Sequence, residues 1–143
     1  MSVEQVLYTA HGHATGGRTG SGATDDNRLS VTLSTPKALG GDGGAGTNPE
    51  QLFSIGYSAC FIGAMKFVAA QENIKLPEDT KVAADIGIGP RTDGGGFGIT
   101  AALTISAPGV AKDVLEALVQ KAHIVCPYSN AIHKSVDVTL TVS

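Results

Sequence analysis

The sequence predicts a single α+β domain built from antiparallel sheets, and three observations support this fold class. Short segments of alternating apolar residues indicate strands, a long uncharged segment near the middle indicates a buried helix, and a second helix with one apolar face follows. The elements occur in the order strands, long helix, hairpin, helix and strand, which is typical of an α+β fold rather than of repeated βαβ units. We therefore expect one domain over residues 1–143.

The first part of the chain predicts strands joined by glycine-rich loops. A strand-like segment spans Val3–Thr15, and a regularly alternating strand spans Leu29–Leu33. Between them, the flexible loop Gly16–Gly22 carries one strong cation, Arg18. A second glycine-rich loop follows at Leu39–Gly46, and neither loop is long enough to be an interdomain linker.

The central helix has a strong start signal. Asn48 is a suitable N-cap, Pro49 suits the first turn, and Gln51 stands three residues after Asn48 as in a capping box. The fourteen residues Leu52–Met65 carry no charge, and Lys66 interrupts this run before it reaches membrane-spanning length. We expect a long central helix that is buried on nearly all sides, as at a subunit interface.

The last part of the chain predicts a hairpin, a helix and a closing strand. Alternation in Val82–Ile88 and Ile99–Ile105, with Pro90–Gly96 between them, indicates the hairpin. A helix over about Val110–His123 presents one apolar face, and Val136–Val142 alternates as a strand. The Cys-Pro step at 126–127 ends that helix and begins a short one.

Composition and charge exclude several functional classes. A net charge of −3 with ten Lys plus Arg argues against a nucleic-acid platform, and 42% hydrophobic residues argue against disorder. Two cysteines do not make a disulfide scaffold. The first residues contain neither a basic nor an apolar signal-peptide region. We expect a cytoplasmic protein, in which a cysteine pair is more often redox-active or metal-binding than structural.

Two sequence patterns could indicate a cofactor or metal site, but each lacks the context that such a site needs. Gly41–Gly46 satisfies G-x-G-x-x-G, but a dinucleotide site needs a strand that runs straight into the first glycine within a parallel βαβ unit. His123 and Cys126 are spaced i, i+3, and His11 and His13 share one face of a strand, yet they form no recognisable closed ligand set. We expect no bound nucleotide and no metal.

The two cysteines are the main candidates for chemistry. Cys60 lies in the middle of the apolar helix and, taken alone, reads as an inert core residue. Cys126 precedes a proline at a helix junction, where free backbone N–H groups stabilise a thiolate, or it simply ends the helix. A buried thiolate needs a cation to lower its pKa, and Arg18 together with an orienting acid, Glu50, would supply a preorganised site.

The chain contains four further motifs in this order: Gly16–Arg18, Gly46–Phe53, Gly56–Phe61 and Val125–Ala131. Together they resemble those of the organic hydroperoxide resistance proteins, a branch of the superfamily that also holds the osmotically inducible OsmC proteins. The resemblance covers essentially the whole chain, and Tyr57 and Tyr128 favour the hydroperoxide branch. The Ile132–Ser135 segment departs from the family pattern, which bears on specificity more than on chemistry.

The resemblance implies an OsmC-like fold and a thiol peroxidase that reduces organic hydroperoxides to alcohols. It assigns Cys60 as the peroxidatic cysteine, Cys126 as the resolving cysteine, and Arg18 with Glu50 as the pair that holds the site ready. It further implies an intertwined homodimer, no bound cofactor or metal, and electrons from a dihydrolipoyl group (dihydrolipoamide or a lipoyl dithiol) on a lipoylated partner protein. It gives no role for nucleic acid or membrane.

The apolar residues near the peroxidatic cysteine would favour alkyl or fatty-acyl hydroperoxides over hydrogen peroxide. Those near Cys60 in the sequence are Phe53, Tyr57, Phe61 and Ile62, and Tyr128 stands beside the second cysteine. The alternatives are an OsmC-type peroxidase of broader specificity, a redox sensor or binding module without turnover, and a structural disulfide. The last would close a loop of about 67 residues and add about 4 kcal/mol.

The spacing of Glu50 and Cys60 predicts shared sites independently of the family. In a continuous helix these residues lie about 15 Å apart along the axis, at about 1.5 Å per residue. Glu50 therefore cannot easily serve the Cys60 of its own chain. In a twofold dimer with antiparallel helices, one subunit would supply Glu50 and Arg18 to the other.

Overall fold

The computed structural model describes residues 2–143 and divides the chain into two compact units, one ending at Pro49 and the other spanning Glu50–Ser143. Each unit contains its own three-stranded sheet, and helices accompany the sheet of the second unit. These elements confirm the predicted α+β class. The assignment of one domain to residues 1–143 stays a prediction.

The first unit is an antiparallel sheet with strand order β1-β2-β3, formed by Gly12–Thr15, Ser21–Thr24 and Ser30–Thr32. The connection between β1 and β2 contains the short 3-10 turn Gly17–Thr19. Glycine is required at position 20, because a Cβ there would come within 1.8 Å of the Thr15 carbonyl oxygen. This turn fixes the backbone of the loop that carries Arg18.

The N-terminal strand is shorter than the predicted Val3–Thr15. The ladder between β1 and β2 stops at Gly12 opposite Thr24, after which the chain turns at Asn27 with a positive φ of 58°. Residues before Gly12 therefore have no facing strand within residues 2–143. Their apolar side chains are strongly exposed, as Val3, Val6, Leu7 and Tyr8 show.

The long central helix α1 spans Pro49–Gln71, as the start signal predicts. Its buried residues recur every three or four positions and so form one face: Tyr57, Phe61, Ala64, Met65, Val68 and Ala69. Elsewhere on the helix Ile55 is 70% exposed and Phe67 56% exposed. In the single chain α1 is thus buried on one face, and the burial of its other sides at a subunit interface stays a prediction. By length and composition α1 could cross a membrane, but its buried face packs in the hydrophobic core.

The predicted hairpin is confirmed. Strands β4 (Lys81–Pro90) and β5 (Phe97–Ser106) pair antiparallel, with Val82 opposite Ile105 and Ile88 opposite Ile99. The turn between them carries Gly94, whose φ of 72° is in the left-handed region. This hairpin forms most of the second sheet.

The closing strand β6 (Val138–Val142) pairs parallel with β5, so the prediction of purely antiparallel sheets is wrong at this edge. Two helices separate the strands, α2 at Lys112–Val125 and α3 at Pro127–Ile132. Helices between two strands can return the chain to its starting end, which makes the next strand parallel. A residue pattern of period two does not reveal this direction.

Helix α2 starts and ends two residues later than predicted, and its apolar face is confirmed. Leu115, Leu118, Val119 and Ala122 are buried in a core that also contains the buried face of α1 and the inner residues of the second sheet. An ion pair between Lys121 and Glu72 links α2 to the residues just after α1. This core fixes the helices that carry the two cysteines.

Candidate active site

The structure brings Cys60 and Cys126 into contact although 66 positions separate them. Their sulfur atoms lie 3.7 Å apart, and both residues are free thiols. A disulfide needs about 2.05 Å between sulfurs, so closing the bond requires an approach of under about 2 Å. The pair is thus placed for disulfide chemistry without a large rearrangement.

Cys126 lies at a break between two helices that the local sequence dictates. Pro127 cannot continue α2, and the residue before a proline is driven out of the helical region. Accordingly Cys126 has φ −61° and ψ 122°, and it is at once the C-cap of α2 and the N-cap of α3. Its side chain is fully buried, whereas that of Cys60 is only partly buried.

The surroundings of Cys60 favour the neutral thiol. Burial raises the pKa of the Cys60 thiol, the backbone N–H of Tyr128 acts in the opposite direction, and the neighbouring Cys126 raises the pKa further. Removing the thiol proton therefore needs more positive charge than these groups supply. A positively charged group near Cys60 would lower this pKa and favour the thiolate.

Four aromatic side chains predicted to bind substrate cluster beside the sulfurs. Phe53 packs edge-on against Tyr57 at 5.8 Å between ring centroids and lies 5.5 Å from Tyr128. Tyr57 also neighbours Tyr128 and Phe61, at 5.9 and 6.4 Å. Tyr57 and Phe61 are fully buried, while Tyr128 is 38% exposed. Phe53 and Tyr128 are therefore the members that solvent can reach.

Two residues that contact this aromatic cluster were assigned no role from the sequence, Ser129 and Gly56. The hydroxyl groups of Ser129 and Tyr57 form a buried hydrogen bond of 2.6 Å between α3 and α1. Gly56 lies under the Tyr128 ring, and a Cβ there would come within 3.1 Å of the Tyr128 hydroxyl oxygen. The available signal for Ser129 was its position one turn after Cys126, which becomes informative only once the facing helix is known.

The other two predicted site residues lie at the starts of their elements. Arg18 is a half-buried residue in the 3-10 turn of the first unit, and Glu50 is the second residue of α1. Since α1 is continuous, the helix geometry again places Glu50 about 15 Å from Cys60 along the axis. The continuity on which the shared-site prediction depends is thus confirmed, and the meeting of Arg18 and Glu50 with the thiols stays a prediction.

The structure also shows the glycine-rich loop and the histidines that the sequence offered as nucleotide or metal sites. Strand β3 ends at Thr32, well before Gly41, and pairs antiparallel, so Gly41–Gly46 lacks the context of a dinucleotide loop. His123 has a buried Nδ1 with no hydrogen-bond partner, and burial, with a smaller effect of nearby His133, lowers its pKa. Among residues 2–143, no three His, Cys, Asp or Glu side chains group as metal ligands.

Comparison with known proteins adds the family context. Residues 40–141 match the family model described as OsmC-like protein. The chain is 57% identical over 142 residues to an organic hydroperoxide resistance protein of Xanthomonas axonopodis pv. citri, covering 99% of each chain. It is 40% identical to organic hydroperoxide resistance protein OhrA of Bacillus subtilis, again over 99% of each.

Solved structures agree with the sequence matches. A crystal structure of an organic hydroperoxide resistance protein from Legionella pneumophila superposes with a TM-score of 0.90 at 45% identity, covering 97% of this chain and 99% of that one. The structure of OhrB of Bacillus subtilis gives a TM-score of 0.88 at 38% identity, covering 96% and 100%. The predicted OsmC-like fold is thereby confirmed.

Proposed function

The chain belongs to the OsmC-like family, among the organic hydroperoxide resistance proteins, and from this premise we propose that it is a cysteine-based peroxidase that reduces organic hydroperoxides to alcohols. The observation that carries the proposal is the contact of Cys60 and Cys126, with sulfurs 3.7 Å apart beside a cluster of aromatic side chains. A role in resistance to organic hydroperoxides follows from the family, and the chemistry below is our assignment.

The first step is attack of the Cys60 thiolate on the distal oxygen of the hydroperoxide. The S–O bond forms as the O–O bond breaks, the alkoxide takes up a proton and leaves as the alcohol, and Cys60 becomes a sulfenic acid. Because burial favours the neutral thiol, we assign Arg18 to stabilise the thiolate and the charge developing on the O–O bond. Glu50 would hold the guanidinium in orientation.

The aromatic cluster supports a preference for bulky apolar substrates. Phe53 and the partly exposed Tyr128 offer apolar surface next to the sulfur pair, on which an alkyl or fatty-acyl chain can be buried. Hydrogen peroxide gains nothing from such a surface. The discrimination we propose therefore comes from burying the organic part of the substrate.

The second half of the cycle restores the thiols. The Cys126 thiolate attacks the sulfenic sulfur of Cys60, forming the disulfide and releasing the oxygen as water once protonated. A dihydrolipoyl dithiol on a lipoylated partner protein then reopens the disulfide by two exchange steps and leaves as the cyclic disulfide. The chain itself needs no bound cofactor in this scheme.

We further propose a homodimer with shared sites, located in the cytoplasm. The outward apolar residues Ile55 and Phe67 leave α1 with an uncovered face, which a second copy would bury. Such a pairing of α1 helices would bring Glu50 of one copy toward Cys60 of the other. The N-terminal apolar residues that remain exposed in the single chain would also gain partners.

Steady-state turnover tests the proposed function. The purified protein is supplied with cumene hydroperoxide or hydrogen peroxide, and with dihydrolipoamide, glutathione or thioredoxin as reductant. We expect many equivalents of cumene hydroperoxide to be consumed with dihydrolipoamide, and far slower use of hydrogen peroxide. Comparable rates with both peroxides would favour an OsmC-type peroxidase of broad specificity. A reaction that stops after one equivalent would instead indicate a redox sensor.

A further inference from the structure

A buried hydroxyl pair joins the same two helices as the two cysteines. Tyr57 on α1 and Ser129 on α3 are both fully buried, and their hydroxyl oxygens lie 2.6 Å apart. A buried hydrogen bond of this kind constrains the two helices strongly, because breaking it leaves a polar group without a partner. No step of the peroxidase cycle described above uses it.

Each residue of the hydroxyl pair lies three positions from one of the two cysteines. Tyr57 precedes Cys60 by three residues, and Ser129 follows Cys126 by three residues. On α1, Tyr57 and Cys60 share one face. Cys126 caps the N-terminal end of α3, and Ser129 lies in the first turn of that helix, so the two contacts are neighbours. The hydrogen bond and the sulfur contact are thus two neighbouring links between α1 and the Cys126–Ser129 turn.

The turn that carries Cys126 contacts α1 through this hydrogen bond and through the Tyr128 ring, which packs against Phe53 and Tyr57. Cys126 is in extended backbone at the break between α2 and α3, and α3 has six residues. A helix this short gains little stability from its own backbone bonds. Ser129 attaches it to the long helix α1 at the turn adjacent to the sulfur.

We propose that Ser129 is a positioning residue for the resolving step, holding Cys126 against Cys60 through its hydrogen bond to Tyr57. This inference rests on the proposed function. In that step the Cys126 thiolate attacks the Cys60 sulfenic sulfur, the S–S bond forms, the S–O bond breaks, and the oxygen leaves as water after protonation. Ser129 touches neither reacting sulfur in this scheme and acts only through the position of the turn.

The rate of this step is sensitive to placement. An intramolecular attack owes its speed to the fixed distance and direction of the reacting atoms, and a shift of about 1 Å can cost about a hundredfold. The sulfurs start 3.7 Å apart, which is short enough for closure only while the turn stays in place. Loss of the hydrogen bond should therefore slow disulfide formation more than it slows oxidation of Cys60.

The test compares Ser129→Ala with Ser58→Ala as the matched control. The Ser58 hydroxyl bonds to the Ser54 carbonyl oxygen at 2.8 Å within α1 and joins no second helix. After one equivalent of cumene hydroperoxide, quenched samples are analysed by mass for disulfide, with dimedone present to trap sulfenic acid. In Ser129→Ala we expect closure to slow by about 10- to 100-fold and dimedone capture to rise, with Ser58→Ala like the wild type.

A double variant separates positioning from general stability. Ser129→Ala alone leaves the Tyr57 hydroxyl buried without its partner, whereas Tyr57→Phe/Ser129→Ala removes both polar groups and should regain much of the lost thermal stability. Positioning predicts that closure stays slow in the double variant. A closure rate that recovers together with the melting temperature would show a merely structural role and overturn the proposal.

Closure by diamide, which removes two electrons and two protons from the dithiol, needs no peroxidase activity. Slow diamide closure in Ser129→Ala supports positioning even if the wild type fails to react with peroxide, a result that would contradict the proposed function alone. Closure within about twofold of the wild type with both oxidants would contradict the positioning role and leave the peroxidase assignment intact.

Discussion

Cys60 and Cys126 lie 3.7 Å apart but are held by different kinds of backbone. Cys60 is in the interior of the 23-residue helix α1, where every neighbouring turn restrains it. Cys126 is in extended backbone between two helices and is fully buried. The Cys60 sulfur is thus partly accessible on a continuous helix, and the Cys126 sulfur is buried at a break between two helices.

This contrast suggests a division of labour. A peroxidatic thiol must meet substrate from solvent, so partial exposure on a rigid helix suits it. A resolving thiol must approach by under about 2 Å to close a disulfide, so a place at a helix break suits it. Substitutions at the two cysteines should therefore have larger effects than substitutions at the residues around them.

Serine substitution should affect the two cysteines unequally. Cys60→Ser should lower peroxidase turnover by at least about a thousandfold, because the nucleophile is lost. Cys126→Ser should still form one equivalent of sulfenic acid and then recycle poorly. Dimedone labelling and peroxide consumption measure the two steps separately. Full turnover in Cys60→Ser would exclude Cys60 as the nucleophile.

Substitution of Arg18 tests whether this residue lowers the pKa of the Cys60 thiol. Burial raises the pKa of the Cys60 thiol, so without a cation the alkylation of Cys60 should require alkaline pH. We expect Arg18→Ala to move the midpoint of the pH–alkylation profile above the ordinary thiol range and to slow peroxide reduction by about 100-fold. The wild-type midpoint should lie lower, because arginine favours the thiolate.

Arg28→Ala is the matched control for Arg18→Ala. Arg28 is strongly exposed and pairs with Asp26 at 3.4 Å in a turn of the first unit. Its loss should leave both the alkylation profile and the turnover near the wild-type values. An Arg18→Ala profile that coincides with that of Arg28→Ala would remove Arg18 from the mechanism.

The smallest effect is expected at Gly56, where α1 faces the Tyr128 ring. A Cβ at Gly56 would come within 3.1 Å of the Tyr128 hydroxyl oxygen, so Gly56→Ala should displace this ring. We expect the KM for cumene hydroperoxide to rise a few-fold, with kcat changed less, since the substitution alters binding surface rather than the sulfurs. An unchanged KM would argue that Tyr128 does not contact substrate.

Gly63→Ala provides the control within the same helix. A Cβ at Gly63 meets nothing within 4 Å, and replacing a helix glycine with alanine stabilises by about 0.5–1 kcal/mol. Thermal unfolding should show this gain in Gly63→Ala without any change in KM. The difference between the two variants isolates the contact with Tyr128 from the general effect on the helix.

Much of the fold could be predicted because its causes are local. The Asn48–Pro49 start of α1, the alternation in β4 and β5, and the proline break after Cys126 each act over a few residues. The predicted extent of β1 and the predicted antiparallel pairing of the closing strand were wrong, because strand pairing depends on residues far away in the chain. Periodicity shows which face is apolar and not which strand lies beside it.

The candidate site also has features that the sequence predicted and one contact that it could not predict. The residue types of Cys60, Cys126 and the aromatic side chains suggested thiol chemistry beside an apolar surface, and the family motifs made the expectation specific. The bond between Tyr57 and Ser129 could not be read from the sequence, because the two residues are 72 positions apart and each is ordinary in its own helix.

Most of the elements and the chemical inventory follow from the sequence: two thiols, a loop arginine, an acid at a helix start and an apolar helix. Tertiary packing decides the rest: the two thiols meet, one face of α1 is buried while Ile55 stays exposed, and a hydroxyl pair lies beside the sulfurs. Helix and strand signals arise from neighbours along the chain. Contacts between distant residues depend on how apolar faces pack against each other. An apolar face is compatible with more than one packing arrangement, so the sequence pattern does not specify which distant residues meet.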